Sequence, residues 1–307
     1  MQQHDISPSS RRQFLAGAAA ALPVALGAAA AAAQEKQPVA ATLPAPKFTL
    51  SVNLELMFPR EMPYEERLQR AADEGAKAYS FWAFRGKDLD KLKTLADKHG
   101  MACGSITGAN KTGFSTGLTK TGAEQAFLDD FREAVEAAKK VGAPNLITFV
   151  GETQTDISLD MQHAQIVSGL KKAGEIAAAA GVYLTLEPLS VVHHPKMSVL
   201  TAQHAYRIMR DVAHPHIKVD FDMFHLQHSE GNLTLNLQEG LTKGYVRFVE
   251  VGDVPGRFEP GTGETNYAHM FGVLREAGYA GFVGMEHRAR TDYKTAIAAV
   301  RRLAGFV

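Results

Sequence analysis

An α/β fold, a (β/α)8 TIM barrel, is what this sequence predicts, on three observations. Short apolar runs alternate with helix-length amphipathic segments from residue 48 to the end of the chain. Eight such pairs fill a single domain of this length. No G-x-G-x-x-G follows the first apolar run, where an open doubly wound sheet would carry its phosphate-binding turn.

The elements follow in order. The strand 48–54 precedes a helix over 63–75 with Leu68, Ala71 and Ala72 on one face. The strand 76–84 is followed by a helix 88–99 closed by Gly100, and 101–107 is the third strand. The Gly- and Thr-rich stretch 108–122 is long enough to be functional and able to close over a site. A helix 124–141 stops at Gly142, the fourth strand is 145–151, and the helix 160–180 ends at Gly181. The strand 182–187 is stopped by Pro188 and followed by a helix 201–212. The remaining pairs are strand 217–222 with a weaker helix 233–242, strand 246–251 with helix 267–277, and strand 282–286 with helix 292–303.

Residues 1–33 stand outside this pattern. Ser10-Arg11-Arg12-Gln13-Phe14-Leu15 precedes an Ala-rich run to Ala33, which looks like a twin-arginine export signal with small residues suited to cleavage. The run is short and weakly apolar for a stable membrane span. The expected partner is therefore the twin-arginine export machinery and the expected location the periplasm. Residues 34–47, rich in Pro and Ala, read as a linker, and 48–307 as the barrel.

The chain has 33 basic and 33 acidic residues; Arg11, Arg12 and Asp5 lie in the signal, so the remainder carries a formal charge of −1. Such a near-neutral body gives no electrostatic reason to expect nucleic acid or an anionic membrane as partner. Cys103 is the only cysteine, which excludes an intramolecular disulfide and leaves stability to the core.

Four late strands share an acid at or next to the carboxyl end: Glu187 in YLTLEP, Asp222 in KVDFD, Glu250 in VRFVEVGD and Glu286 in FVGMEH. In a barrel these ends converge on the face that carries active sites. Four converging carboxylates cannot all stay ionised and unpaired, because burial is costly and like charges raise one another's pKa. One divalent cation resolves the conflict. Oxygen ligation suits Mg2+ or Mn2+, with Zn2+ or Co2+ if an imidazole joins. His225, three residues past Asp222, could ligate, bind substrate or orient Asp222. His193, His194, His216, His228 and His287 read as surface or rim residues.

From about Phe48 to Glu286, and most closely from Leu184 onward, the chain resembles hydroxypyruvate isomerase-like proteins of the xylose isomerase-like TIM barrel superfamily. The motifs that carry the resemblance are Leu186-Glu187-Pro188-Leu189, Asp222-Met223-Phe224-His225, the run Glu259-Pro260-Gly261-Thr262-Gly263-Glu264-Thr265-Asn266-Tyr267, and Gly284-Met285-Glu286-His287. The resemblance implies that Glu187, Asp222, the residue at 250 and Glu286 bind one divalent metal. It implies that Glu187 and Glu286 double as acid/base groups, and that His225 and Arg257 touch substrate oxygens. Such a site moves a carbonyl between adjacent carbons, or inverts the carbon beside it, by α-proton removal and enediolate stabilisation.

Three positions depart from the relatives' pattern. Residue 250 is Glu where they usually carry Gln or His, Ser80 stands where a Glu is common, and 105–110 lacks a His that many show. The metal site therefore transfers better than the substrate does, and an exported protein has no obvious use for hydroxypyruvate.

The leading expectation is a metal-dependent isomerase or epimerase of a small sugar or hydroxy-keto acid. A lyase or dehydratase on an oxidised sugar or cyclitol would use the same enediolate. A non-catalytic periplasmic sugar-binding barrel is a third reading. The DNA-repair endonuclease branch of the superfamily uses three zinc ions and more histidines, and Arg257-Phe258-Glu259 stands here in place of its Asp-x-His pair.

Overall fold

A computed structural model describes residues 43–109 and 111–306. The twin-arginine signal assigned to 1–33, and the linker up to residue 42, lie outside the described residues. The end of the linker is tied to the barrel, where Arg275 donates to the carbonyls of Leu43 (2.8 Å) and Pro44. Among the described residues no helix is long and apolar enough to cross a membrane.

Eight parallel strands close in sequence order, the last pairing with the first. They are β1 (Thr49–Asn53), β2 (Ala78–Ser80), β3 (Ala102–Thr107), β4 (Asn145–Thr148), β5 (Tyr183–Leu186), β6 (Ile217–Asp222), β7 (Val246–Val251) and β8 (Phe282–Met285). The helices that follow them are α1 (Tyr64–Asp73), α2 (Leu89–Lys98), α3 (Glu124–Val141), α4 (Leu159–Ala180), α5 (Ala202–Val212), α6 (Met223–Ser229), α7 (Leu233–Thr242), α8 (Tyr267–Glu276) and α9 (Tyr293–Ala304). The predicted (β/α)8 TIM barrel is the fold.

Local chemistry sets the helix ends. Side chains of Asp88, Ser158, Thr201, Asn266 and Asp292 accept backbone N–H groups at the starts of α2, α4, α5, α8 and α9. Gly142 and Gly181 close α3 and α4 in the left-handed conformation that a side chain would disfavour.

Two predicted strands end early and one observed helix was not predicted. β2 stops at Ser80 rather than 84, because its register against β3 shifts between Tyr79 and Ser80 and the chain then leaves the sheet. β4 stops at Thr148 rather than 151, because the backbone of Phe149 and Val150 turns to support the 108–122 loop. Thr119 donates its N–H to the Val150 carbonyl at 3.2 Å, and Gly117 packs so closely on Val150 that a Cβ would lie 2.4 Å from it. The short helix α6 was not predicted. It starts directly at the end of β6, where the Asp222 carboxylate accepts from the N–H groups of Phe224 (2.7 Å) and His225 (3.4 Å).

Beyond the main core, a second apolar cluster of Ile147, Phe149, Leu189, Met197 and Phe248 sits beneath the carboxyl ends of the strands. It forms dry support for whatever those ends present.

Candidate active site

β5 to β8 deliver Glu187, Asp222, Glu250 and Glu286 to one point. Each offers a carboxylate oxygen, and these four atoms lie within 4.8 Å of one another. All four side chains are buried. Sheet register accounts for the convergence, since Asp222 pairs with Glu250 and Glu250 with Gly284 across adjacent strands. Gly284 makes the room, because a Cβ there would stand 2.8 Å from Glu250 Oε1 and 3.0 Å from its Cγ.

A fifth carboxyl, Asp220, escaped assignment from sequence. It lies two residues before Asp222 on the same inward side of β6 and is completely buried. Neither its oxygens nor those of Glu250 meet a hydrogen-bond donor among the described residues. The signal was present in KVDFD as an acid at period two within a buried strand.

Electrostatics make the cluster costly when empty. Burial pushes Glu187 well above the usual carboxylate range, and the charges of Asp220, Glu286 and Asp222 add to it. Glu250 and Asp220 are raised in the same way, first by burial and then by neighbouring carboxyls. Asp222 is pushed up to about 6, with burial outweighing the pull of Arg257 and of two backbone N–H groups. Such a donor set, with orphaned oxygens inside a shell of hard oxygen ligands, fits a small divalent cation.

Among the described residues, Arg257 is the one guanidinium inside this cluster. Its Nη2 lies 3.1 Å from Asp222 Oδ2 and 3.0 Å from Glu286 Oε2, and its Nε donates to the Glu286 carbonyl at 3.3 Å. Burial works against its charge, but the surrounding carboxylates hold its pKa above the ordinary arginine value. Its backbone has φ +52°, a left-handed conformation unfavourable for a residue with a side chain. Bonds from Arg257 N–H to the Asp253 carbonyl (2.8 Å) and from Arg288 N–H to the Arg257 carbonyl (2.7 Å) keep it there.

The loop that carries Arg257 is organised by Asp253. Its buried carboxylate accepts from Gly261 (2.8 Å), Gly263 (2.9 Å) and Thr265 (3.1 Å). The Pro-Gly-Thr-Gly-Glu motif is therefore a cradle wrapped around one acid. Close approach explains its second glycine, where a Cβ would meet the Val254 carbonyl at 1.9 Å.

His225 faces the carboxylates with one nitrogen only. Its Nδ1 accepts from the Ser190 N–H at 3.1 Å, which assigns the hydrogen to Nε2. That Nε2 lies 3.6 Å from both Glu187 Oε1 and Asp222 Oδ2. Burial, reinforced by the positive charge of Arg257, pushes the imidazole pKa well down and keeps it neutral. A neutral ring donating through Nε2 suits a substrate oxygen or a ligand carboxylate better than direct ligation.

Trp82, also missed from sequence, donates its indole N–H to Glu286 Oε1 at 2.8 Å. Its backbone N–H is held by Glu55 Oε1 at 3.0 Å. Trp82 is the only tryptophan of the chain, and it stands at the point where β2 leaves the sheet.

The histidines read as surface or rim residues divide. His287 is a correction: it is completely buried, because it alternates away from Glu286 and packs near Gly252 under the Arg257 loop. Its Nδ1 pairs with the Arg288 carbonyl at 3.0 Å, and burial lowers its pKa to about 4. His193 is exposed and His228 half-buried, and their rings meet at 4.9 Å. His194 lines the cavity. His216 lies at the start of β6, at the opposite end of the barrel, stacked on Tyr183 at 4.6 Å.

Above the carboxylates opens a cavity of about 320 Å³. Its far wall is apolar and includes Trp82, Phe114, Ile147, Phe149 and Leu189. Phe114 comes from the 108–122 loop and packs its ring on Phe149 at 4.5 Å. Asp130 of α3 anchors the loop by accepting from the N–H groups of Lys111 (2.8 Å) and Thr112 (3.1 Å).

Comparison with known proteins agrees with this geometry. Residues 68–303 match the family described as xylose isomerase-like TIM barrel. Hydroxypyruvate isomerase of Escherichia coli is 28% identical over 248 residues, which span 78% of this chain and 93% of that protein. The 2-oxo-tetronate isomerase of Haemophilus influenzae is 29% identical over 82% of this chain and 97% of its own. Among solved structures, an AP endonuclease, family 2, from Brucella melitensis superposes with a TM-score of 0.76 at 26% identity, covering 84% of this chain and 98% of that one. The chain belongs to the xylose isomerase-like TIM barrel family. With curated isomerases matched along most of both chains, it is an enzyme of the isomerase class.

Proposed function

We propose that the protein is a divalent-metal-dependent isomerase or epimerase of a small sugar or hydroxy-keto acid. The observation that carries this reading is the meeting of four buried carboxylates from four consecutive strands, with their ligand atoms within 4.8 Å. Glu187, Asp222, Glu250 and Glu286 would hold one divalent cation, most suitably Mg2+ or Mn2+. When bound, the cation supplies Lewis-acid stabilisation of negative charge on substrate oxygen.

The chain's own groups do the rest. Glu187 takes the proton from the carbon beside the carbonyl and gives it back on the same face. Glu286 serves the opposite face of the flat enediolate, its two oxygens oriented by Trp82 and Arg257. His225 donates through Nε2 to a substrate oxygen. Arg257 balances the charge that grows there as the proton leaves.

Two measurements test this. Elemental mass spectrometry of protein purified without chelator should find about one equivalent of a divalent metal, lost in the Glu187→Gln, Asp222→Asn double variant. Deuterium from heavy water should enter the substrate carbon next to the carbonyl; a wild type that binds metal yet never exchanges a substrate hydrogen would sink the enediolate mechanism.

We also infer export to the periplasm by the twin-arginine route, supported by Arg11-Arg12 and the Ala-rich run after them. Replacing both arginines by lysine should leave the protein in the cytoplasmic fraction. Unchanged export would remove this reading.

A further inference from the structure

On the backbone side of Trp82 lies a second polar cluster that the chemistry above does not use. Glu55, in the turn after β1, brings its Oε1 to the Trp82 N–H at 3.0 Å and to the Lys87 ammonium at 3.2 Å. Its Oε2 accepts from the Tyr64 hydroxyl. Lys87 in turn donates to the Ala83 carbonyl and lies over the Tyr64 ring, 4.2 Å from its centre. The ion pair therefore holds the Trp82-Ala83 dipeptide at both ends, by its first N–H and its last carbonyl.

The surroundings keep this pair in place. The side chains of Glu55 and Lys87 are 11% and 8% exposed, and neither lines the cavity. Burial lowers the Lys87 pKa, and the charge of Glu55 opposes that shift. Arg67, buried, fixes the turn that carries Glu55 by donating to the carbonyls of Leu54 (2.6 Å), Arg60 (2.6 Å) and Met62 (2.8 Å). Two charges taken out of water add little net stability, so such a pair needs another reason to be there.

Trp82 supplies the reason. It is 37% exposed and stands where β2 leaves the sheet, so packing alone does not set its direction. From this backbone its indole N–H meets Glu286 Oε1 at 2.8 Å. An N–H···O bond weakens steeply when bent, and a displaced Trp82 backbone would release Glu286.

We propose that Glu55 and Lys87 are a positioning pair for Glu286, acting through Trp82. By gripping Trp82-Ala83 they keep the indole on one oxygen of Glu286 and leave the other to Arg257. The pair's effect on turnover rests on the isomerase reading above; its effect on Trp82 does not.

As the chain's sole tryptophan, Trp82 reports its own placement by fluorescence. Glu55→Gln, Lys87→Met and the double variant are compared with wild type. Losing one partner leaves a buried charge that can unfold the protein, whereas the double variant removes both charges. Acrylamide quenching of Trp82 should rise, with circular dichroism and metal content unchanged. Turnover is read as deuterium exchange from heavy water into hydroxypyruvate and D-fructose. In whichever probe the wild type exchanges, the variants should lower kcat about tenfold and leave KM within about twofold. In a Trp82→Phe background the same changes should cost less than about twofold, because the bond they protect is already gone.

Unchanged quenching in the folded double variant would overturn the proposal. So would kcat losses that simply add to that of Trp82→Phe, which mark a general loosening of the fold. Increased quenching beside a wild type that exchanges neither probe keeps the pair as the support of Trp82 and removes the isomerase reading.

Discussion

The strand ends of the first half of the barrel and those of the second half face one cavity with opposite chemistry. β5 to β8 contribute Glu187, Asp222, Glu250 and Glu286, all buried and close enough to share a cation. β2 to β4 and their loops contribute Trp82, Thr107, Phe114, Ile147 and Phe149, which line the space without a charge. The difference teaches how such a barrel divides its labour. One half concentrates negative charge, which is costly unless a cation satisfies it. The other half makes shape and dryness.

Trp82 joins the two halves. Its ring belongs to the apolar wall, while its N–H reaches across to Glu286, 204 residues away in sequence. A change on the apolar side can therefore reach the carboxylate cluster through one hydrogen bond.

The largest expected break in this comparison comes from the acid/base pair. Glu187→Gln and Glu286→Gln should each lower kcat by about a thousandfold while the thermal midpoint stays near wild type or rises in the metal-free protein. A variant within about tenfold of wild type would remove that residue from the pair.

Asp222→Asn comes next. It should weaken metal binding by more than the roughly 10–100-fold that outer-shell changes cost. An Asn still caps α6, so circular dichroism should be unchanged. Equal affinity by calorimetry would exclude Asp222 as a ligand.

Trp82→Phe keeps the apolar wall and deletes only the donor to Glu286. A hydrogen bond to a charged group is worth about 1.5–3 kcal/mol, so kcat should fall about tenfold or somewhat more while metal content is unchanged. Loss of metal instead would mean that Trp82 supports the charged half as a whole.

The smallest effect is a pH dependence. Burial raises Asp222 to about 6, and Glu187 and Glu250 are raised as well. In the metal-free protein each contributes stability that is full below the ordinary carboxylate pKa. That stability is lost as pH rises through the raised value. Protons and cation compete for the same oxygens. The gain in Tm on adding Mg2+ should therefore be small near about pH 4 and grow as pH passes the Asp222 value. A gain that shrinks with rising pH would contradict the cluster as a cation site.

Much of the charged half was legible in the sequence and much of the apolar half was not. Each acid ends a strongly apolar strand, so period two places it inward and strand order places it at one face. Asp220 obeys the same rule, two residues before the strand end. Trp82 and Phe114 carry no such mark. Both lie where chain leaves regular structure, at the shifted end of β2 and within the 108–122 loop, and local periodicity has no bearing on where such residues point. α6 was missed for a related reason: its cap is Asp222, a residue already read as the end of a strand. His287 was misplaced because burial beyond β8 depends on the Arg257 loop folding back over it.

By itself the sequence determined the order of strands and helices, the closed parallel barrel, and the four acids at its later strand ends. These follow from hydrophobic period and chain length, which are local quantities. Only the tertiary structure decided that Arg257 lies between Asp222 and Glu286, that His225 turns Nε2 inward, and that Trp82 grips Glu286. Those contacts join residues far apart in sequence through the closure of the barrel, and no local pattern encodes which side chains closure brings together.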